Sequence, residues 1–241
     1  LDISTIDELP PGRIPITTVA MSNSKRDVLI ERVRAACAGG QRVYWVCTII
    51  EESEALQAEA ASDLAESLTA ALPDLAVGLI HGRLKAAEKD AVMGEFKDGQ
   101  LQVRVATTVI EVGVDVPEAT LMIIENAERL GLSQLHQLRG RGGRGGDAAS
   151  CVLLYQPPLS NMARQRLNVM RETNDGFEIA RKDLELRGPG EVLGTRQTGE
   201  AQFRIADLSR ARALLPSVGQ GADRLLEAWP EHAQELVDRW V

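Results

Sequence analysis

Five short apolar runs recur along this chain, each followed by an amphipathic or polar stretch: RVYWVCTII at 42–50, LAVGLIHG at 75–82, QVRVATTV at 102–109, LMIIEN at 121–126 and SCVLLY at 150–155. Continuous runs of that length read as strands buried on both faces. After the first, Glu52 to Leu72 places Leu56, Ala60, Leu64, Leu68 and Leu72 four residues apart, and Leu84 to Phe96 carries a second, shorter apolar face. Both stretches predict helices. Alternation of strand and helix implies an α/β fold, a parallel sheet with helices on both faces, whose functional loops are expected at the carboxyl ends of the strands. At 241 residues and 44% apolar, the chain can build one such domain of about 150 residues and a smaller extension.

The pattern changes after Pro157-Pro158. Ser160 to Thr173 and Phe177 to Leu186 predict two helices separated by the turn Asn174-Asp175-Gly176, a helical hairpin. The glycine-rich RGPGEVLGTRQTGE then predicts a loop, followed by further helical sequence ending at Trp240. The expected division is residues 1–157 and 158–241.

Several classes are disfavoured. No apolar run approaches the roughly 18 residues that cross a bilayer, and the opening LDISTIDELPPGR has neither the basic nor the apolar region of a secretory leader. The expectation is a cytoplasmic protein without membrane partners. Cys37, Cys47 and Cys151 are odd in number, far apart and set in apolar stretches, which reads as buried free thiols. A net charge of −8 argues against wholesale polyanion binding, although local basic stretches still hold phosphates. The chain opens at Leu1 on proline-bearing sequence, as if cut from something longer.

The segment QLHQLRGRGGRGGDAASCVLLY, 134–155, is the most informative stretch. GRGGRG at 140–145 fits the G-x-G-x-x-G fingerprint of dinucleotide sites, but that fingerprint needs a strand before it and a helix after it. Here the order is reversed: LSQLHQLR has helical spacing, with Leu132, Leu135 and Leu138 three apart, and ASCVLLY is a strand. An RGG tail would lie in disordered polar sequence, not between two apolar-patterned elements. What remains is Arg141 and Arg144, three apart in a glycine-rich turn, displayed as phosphate-clamping arginines are. On spacing alone, two surface charges on a tight turn fit equally well.

Neighbouring motifs tip that balance. QLHQLRGRGGRG resembles the sixth conserved motif of superfamily-two helicases and translocases, Q-x-x-G-R-x-x-R, through Gln137, Gly140, Arg141 and Arg144. ATTVIEVGVDVP at 106–117 resembles their fifth motif, and VCTIIEESE with LIHGRLKAAEKDAVMGEFKDG resembles the motifs that flank it. The tail DGFEIARKDLELRGPGEVLGTRQTG is similar to that of bacterial branch-remodelling DNA translocases within this superfamily. One departure stands out: the family usually has an apolar residue between the two arginines, where this chain has Gly142 beside Gly143. The extra glycine enlarges the freedom lost in holding the arginines, at about 0.5–1 kcal/mol.

The resemblance implies a RecA-like second motor domain over 1–157, with 1–18 as linker from a first motor domain, and a translocation hairpin, loop and helices over 158–241. It implies that Arg141 and Arg144 stabilise the charge of a transferring phosphoryl group, with Gln137 beside them, and that Gly113, Asp115 and Gly140 lie near the nucleotide. Asp115 capping the turn before Pro117 is the alternative reading of that carboxylate. Thr107, Thr108, His81 and Gly82 would contact the DNA backbone without reading bases, although threonines in a strand and a lone histidine are often structural. Arg187, Arg196 and Gln197 would couple domain closure to movement along duplex DNA; a helical cap with a flexible loop would need no such role.

The sequence contains no G-x-x-x-x-G-K-[ST] loop and no D-E-x-H or D-E-x-D box. The implied cofactor is ATP with Mg2+, the metal ligands being expected in the first motor domain, and the chain alone is expected to be inactive. Implied partners are branched double-stranded DNA, such as forks and Holliday junctions, and the first RecA-like and wedge domains of the same full-length chain. An RNA helicase domain and a non-catalytic phosphate- or partner-binding α/β module are the alternatives.

Overall fold

A computed structural model describes residues 14–48, 54–107, 116–143, 148–192 and 215–229. The elements run β1 (Thr17–Ser22), α1 (Arg26–Ala38), β2 (Val43–Cys47), α2 (Glu54–Ala71), β3 (Val77–Ile80), α3 (Ala86–Lys97), β4 (Val103–Thr107), β5 (Leu121–Ile124), α4 (Leu132–Arg139), β6 (Ser150–Tyr155), α5 (Asn161–Glu172), α6 (Gly176–Val192) and α7 (Leu215–Ala228). Six strands pair in parallel in the order β1-β6-β5-β2-β4-β3. The five apolar runs are all strands. The sixth strand, β1, and α1 escape the sequence reading because β1 is an edge strand whose TTVAMS leaves Val19 exposed, so it lacks a continuous apolar run.

One face of the sheet packs Val43, Trp45, Val103, Val105, Ile123 and Val152 against Leu29, Ile30 and Val33 of α1, Ala61, Ala65 and Leu68 of α2, and Leu72 directly after it. The predicted α2 stripe holds for Leu68 and Leu72, which are buried, and for Ala60 and Leu64, which pack partly buried against the core, but Leu56 at its start is 48% exposed. The cause is geometric: each four-residue step turns about 40° past a full revolution, so a stripe of fourfold spacing winds out of the core over its length. Residues drawn from both three- and four-residue steps, such as Ala61, Ala65, Leu68 and Leu72, stay on the buried face.

On the other face, Arg104 of β4 is 1% exposed, its guanidinium 4.4 Å from the Tyr44 ring and 5.5 Å from that of Phe96, and it contacts Met93 Sδ. Burial lowers its pKa, and its Nε has no hydrogen-bond partner. The three cysteines are buried and free, as the sequence reading expects.

The hairpin forms through local caps. Ser160 Oγ accepts from the Ala163 N–H at 3.1 Å and starts α5, and Asp175 Oδ1 accepts from the Phe177 N–H at 2.8 Å and starts α6. Gly176 is the first residue of α6 rather than the last of the turn, and the helix runs through Gly188-Pro189-Gly190 to Val192, where a loop was expected. The chain divides into two compact units, Leu1–Asp183 and Leu184–Val241, the division falling inside α6. In the second unit, α7 leaves Leu226 and the following Trp229 exposed. No helix among the described residues is long and apolar enough to cross a membrane.

Candidate functional site

The site residues that fall on described positions separate to opposite ends of the sheet. At the carboxyl end, Ile80 of β3 is in register with Ala106 of β4, so His81, the first residue after β3, follows beside Thr107, the last residue of β4. His81 is half-buried and its buried Nδ1 has no hydrogen-bond partner. Gly82 is exposed, and its carbonyl accepts from Lys89 Nζ at 3.0 Å, while the Glu88 carboxylate accepts from the Lys85 N–H at 2.8 Å and caps α3. Thr107 is only 5% exposed, which keeps its hydroxyl below the rim. Thr108 lies outside the described residues.

The arginine turn is not at that end. Gly140 to Gly143 follow α4, and the Gly143 N–H donates to the Ala119 carbonyl at 3.3 Å, beside the amino end of β5. Gly143 has φ 68°, and a Cβ there would lie 2.3 Å from Ala149 Cβ, so both backbone conformation and space require glycine. At Gly142 a Cβ would meet Met122 Cβ at 3.5 Å, an ordinary contact. Gln137 and Arg141 are exposed and Gly140 is half-buried, whereas Arg144, Gly113 and Asp115 lie outside the described residues. The segment after Asp115 returns at buried Val116, whose carbonyl accepts from the Ala119 N–H at 3.0 Å. Ala119 therefore joins the 116–119 turn to the arginine turn. The candidate positions thus lie at both ends of the strands, not at the carboxyl ends alone.

Arg187 falls within α6 instead of the expected loop, and Arg196 and Gln197 lie outside the described residues.

Arg139, which the motif comparison passes over, is 2% exposed. It donates to the carbonyls of Met170 (2.8 Å) and Thr173 (3.0 Å), to Thr18 Oγ1 (3.3 Å) and to His136 Nδ1 (3.1 Å). A cation there satisfies the orphan carbonyls that end α5 and suits the negative end of its dipole. On the same flank of α4, Ser133 Oγ donates to Asp183 Oδ2 of α6 at 3.0 Å, and His136 Nε2 lies 3.1 Å from where a Cβ of Gly176 would stand. Three residues spaced by three thus tie the helix that carries the arginine turn to the helical hairpin.

A second cluster that the sequence did not announce lies at the carboxyl end of β5. Glu125 is 7% exposed, and its Oε1 accepts from Arg26 Nη2 at 2.6 Å and from Trp45 Nε1 at 2.9 Å. Its carbonyl accepts from the Thr48 hydroxyl, and Asn126 beside it has φ 44°. The nearby Cys47 thiol is pushed up to about 11 by burial and then by the Glu125 charge, with Arg26 opposing.

Residues 24–146 match the model of the helicase conserved C-terminal domain. The chain belongs to that family. Residues 173–237 match the model for the C-terminal part of domain 3 of the ATP-dependent DNA helicase RecG. The chain is 61% identical to RecG of Escherichia coli K12 over its whole length and 46% identical over 98% of it to RecG of Aquifex aeolicus, covering 35% and 31% of those proteins. It therefore spans about a third of the curated relatives it matches. A solved structure of RecG bound to a three-way DNA junction shares 42% identity at a TM-score of 0.66, covering 86% of this chain and 26% of that one. The yeast DEAD-box splicing factor Prp28, at 15% identity and TM-score 0.52 over 69% of this chain and 35% of that one, is similar in fold alone.

Proposed function

We propose that this chain is the second motor half of an ATP-dependent double-stranded DNA translocase that remodels replication forks and Holliday junctions. The observation that carries the reading is the pairing of two matches in one chain: the helicase family model over 24–146 and the RecG-specific model over 173–237. The second match, with identity to RecG along the whole chain, favours DNA over RNA; likeness to the DEAD-box splicing factor is limited to fold.

In this reading a first motor domain supplies the phosphate loop and the Mg2+ ligands, which the sequence here lacks. ATP hydrolysis supplies the free energy for movement. Arg141, on a turn that Gly143 closes against Ala119, and Arg144 project donors at the phosphoryl oxygens, with Gln137, Gly140, Gly113 and Asp115 around the nucleotide. Residues at the carboxyl edge, Thr107, Thr108, His81 and Gly82, meet the DNA backbone. The Ser133, His136 and Arg139 flank of α4 links the arginine turn to α5 and to the first part of α6, and Arg187, Arg196 and Gln197 act as the lever on the duplex.

The test is Arg141→Ala in the full-length protein. Its turnover is expected to fall about a thousandfold, roughly 4 kcal/mol of barrier, with branched-DNA affinity nearly unchanged. Near-normal turnover with lost DNA binding would instead assign Arg141 to the DNA face.

A further inference from the structure

The Glu125 cluster lies where the chain's topology reverses. Strands β5 and β2 are neighbours, yet the chain leaves β2 for α2 on one face and β5 for α4 on the other. Crevices at such switch points, outside the carboxyl ends of the strands, are where open parallel sheets bind ligands. Two costly features meet there. A carboxylate whose side chain is 10% exposed is held against a guanidinium, and Asn126 adopts left-handed backbone.

What the buried carboxylate organises is Arg26. Its guanidinium is braced at Nη2 by Glu125 and at Nη1 by Asn23 Oδ1 (3.1 Å), and it lies 5.4 Å from the centre of the Trp45 ring. Asn23 is itself held by Gln156 Oε1 at 3.4 Å, so the turn before α1 is fastened to the ends of β6 and β5. The Arg26 side chain nevertheless remains 27% exposed, and Lys25 beside it is exposed. Two contacts occupy two of the five N–H donors of a guanidinium, leaving donors for an anion. Holding the side chain in advance lowers the ordering cost of a contact.

We infer that Arg26 is a further contact to the DNA sugar-phosphate backbone, with Glu125 and Trp45 as its positioning residues. The inference rests on the reading of the carboxyl edge as the DNA-facing edge. The Arg26 guanidinium sits at the end of β5, and strands about 4.8 Å apart set β5 roughly 14 Å from β3, which His81 follows, along that edge. That distance is about four of the 3.4 Å steps between successive phosphates along a duplex axis. One duplex lying along the edge therefore presents phosphates to both Arg26 and the His81-Gly82 turn. Asp27, Glu125 and Glu128 are the acidic groups at this turn; Glu125 is already engaged by Arg26 and Trp45, and Glu128 accepts from the Gln156 N–H at 3.4 Å and pairs with Arg129 at 3.9 Å.

The experiment measures half-saturation of full-length protein by a synthetic three-way DNA junction across a salt series, with Tm as the folding control. Arg26→Gln is expected to weaken binding several-fold and to reduce the slope of log affinity against log salt by about 0.9, the loss of one phosphate contact. Glu125→Gln keeps the cation but loosens its brace, so affinity falls while the slope stays. An unchanged slope in Arg26→Gln would overturn the inference and leave the cluster as a fold-stabilising ion pair. If Arg26→Gln does not fold, Arg26→Lys keeps the charge and removes the planar fork; unchanged affinity in that variant overturns the inference equally. His81→Ala separates the two levels. If it weakens binding while Arg26→Gln does not, only the Arg26 contact fails, and if neither has an effect, the carboxyl edge is not the DNA face.

Discussion

Arg139 donates to His136 Nδ1 at 3.1 Å, one turn away on the same helix, while its other terminal nitrogen reaches the carbonyls that end α5. The guanidinium is always a donor, so His136 Nδ1 accepts and the neutral imidazole carries its proton on Nε2, toward Gly176. The arginine next to the Gly140-Arg141 dipeptide is thus a latch between helices. Replacing it with methionine orphans two carbonyls and removes charged hydrogen bonds, each worth about 1.5–3 kcal/mol. Arg139→Met is expected to lower unfolding free energy by roughly 3 kcal/mol in a urea titration; a loss below 1 kcal/mol would show that the latch contributes little.

The two adjacent glycines should respond in opposite ways. At Gly143, φ 68° and the 2.3 Å approach to Ala149 make any side chain costly, so Gly143→Ala is expected to destabilise by more than about 1 kcal/mol. At Gly142 the backbone is ordinary and a methyl finds Met122 at contact distance, so Gly142→Ala is expected to stabilise by about 0.4–1 kcal/mol through the unfolded chain. Thermal melts of the two variants decide this. A stabilising Gly143→Ala would contradict the turn geometry.

Parts of the site were legible in the sequence and parts were not, for reasons visible in α4. Counting leucines three apart picks out Leu132, Leu135 and Leu138, but the helix buries Leu132, Leu135 and Arg139. Residue 139 lies seven positions after Leu132, within about 20° of the same direction, whereas position 138 has rotated some 120° away. An arginine on the apolar face was the available signal of a buried, partnered cation. Glu125 carried no such signal, because its partners Arg26 and Trp45 are 99 and 80 residues away in sequence. The wording of the sixth motif nominates Arg141, but which end of the sheet its turn occupies depends on the hydrogen bond between Gly143 and Ala119.

Arg104 tests whether a buried cation is needed where aromatic rings are its neighbours. Its charge is disfavoured by burial, and its Nε is unpartnered. Arg104→Met fills similar space without desolvating a charge, and is expected to be neutral or to stabilise by roughly 1–4 kcal/mol. Arg104→Ala forfeits packing on Tyr44 and Phe96 and is expected to destabilise. Chemical denaturation distinguishes these outcomes, and a methionine variant as unstable as alanine would mean that the charge itself holds the strand.

Burial raises Cys47 from 9.0 to about 11 and Cys151 from 9.0 to about 12. A raised folded-state value favours the neutral thiol, so the associated stability is complete below pH 9 and declines as pH rises toward 11 and 12. Each thiol contributes a slope of about 1.4 kcal/mol per pH unit across its window. Cys151→Val is expected to flatten the fall in unfolding free energy above pH 9, and an identical slope in both proteins would count against the buried-thiol origin. Native protein at pH 8 should also resist alkylation until denaturant is added.

The α4 flank makes a prediction about coupling that differs from one about chemistry. Ser133 bonds to Asp183 of α6 and His136 abuts Gly176, yet on the proposed reading neither residue touches nucleotide or DNA. If this contact transmits closure at the arginine turn to the hairpin, weakening it should waste hydrolysis rather than prevent it. Ser133→Ala removes one bond, and Gly176→Ala places a methyl 3.1 Å from His136 Nε2, forcing the helices apart by a few tenths of an ångström. In the full-length protein both variants are expected to retain most DNA-stimulated hydrolysis while consuming about fivefold more ATP per base pair unwound, a loss of roughly 1 kcal/mol of coupling. The ratio is measured at saturating branched DNA, so that affinity does not enter. Parallel loss of hydrolysis and unwinding at a constant ratio would mean that the flank supports the fold of the motor, and that movement reaches the duplex by another route.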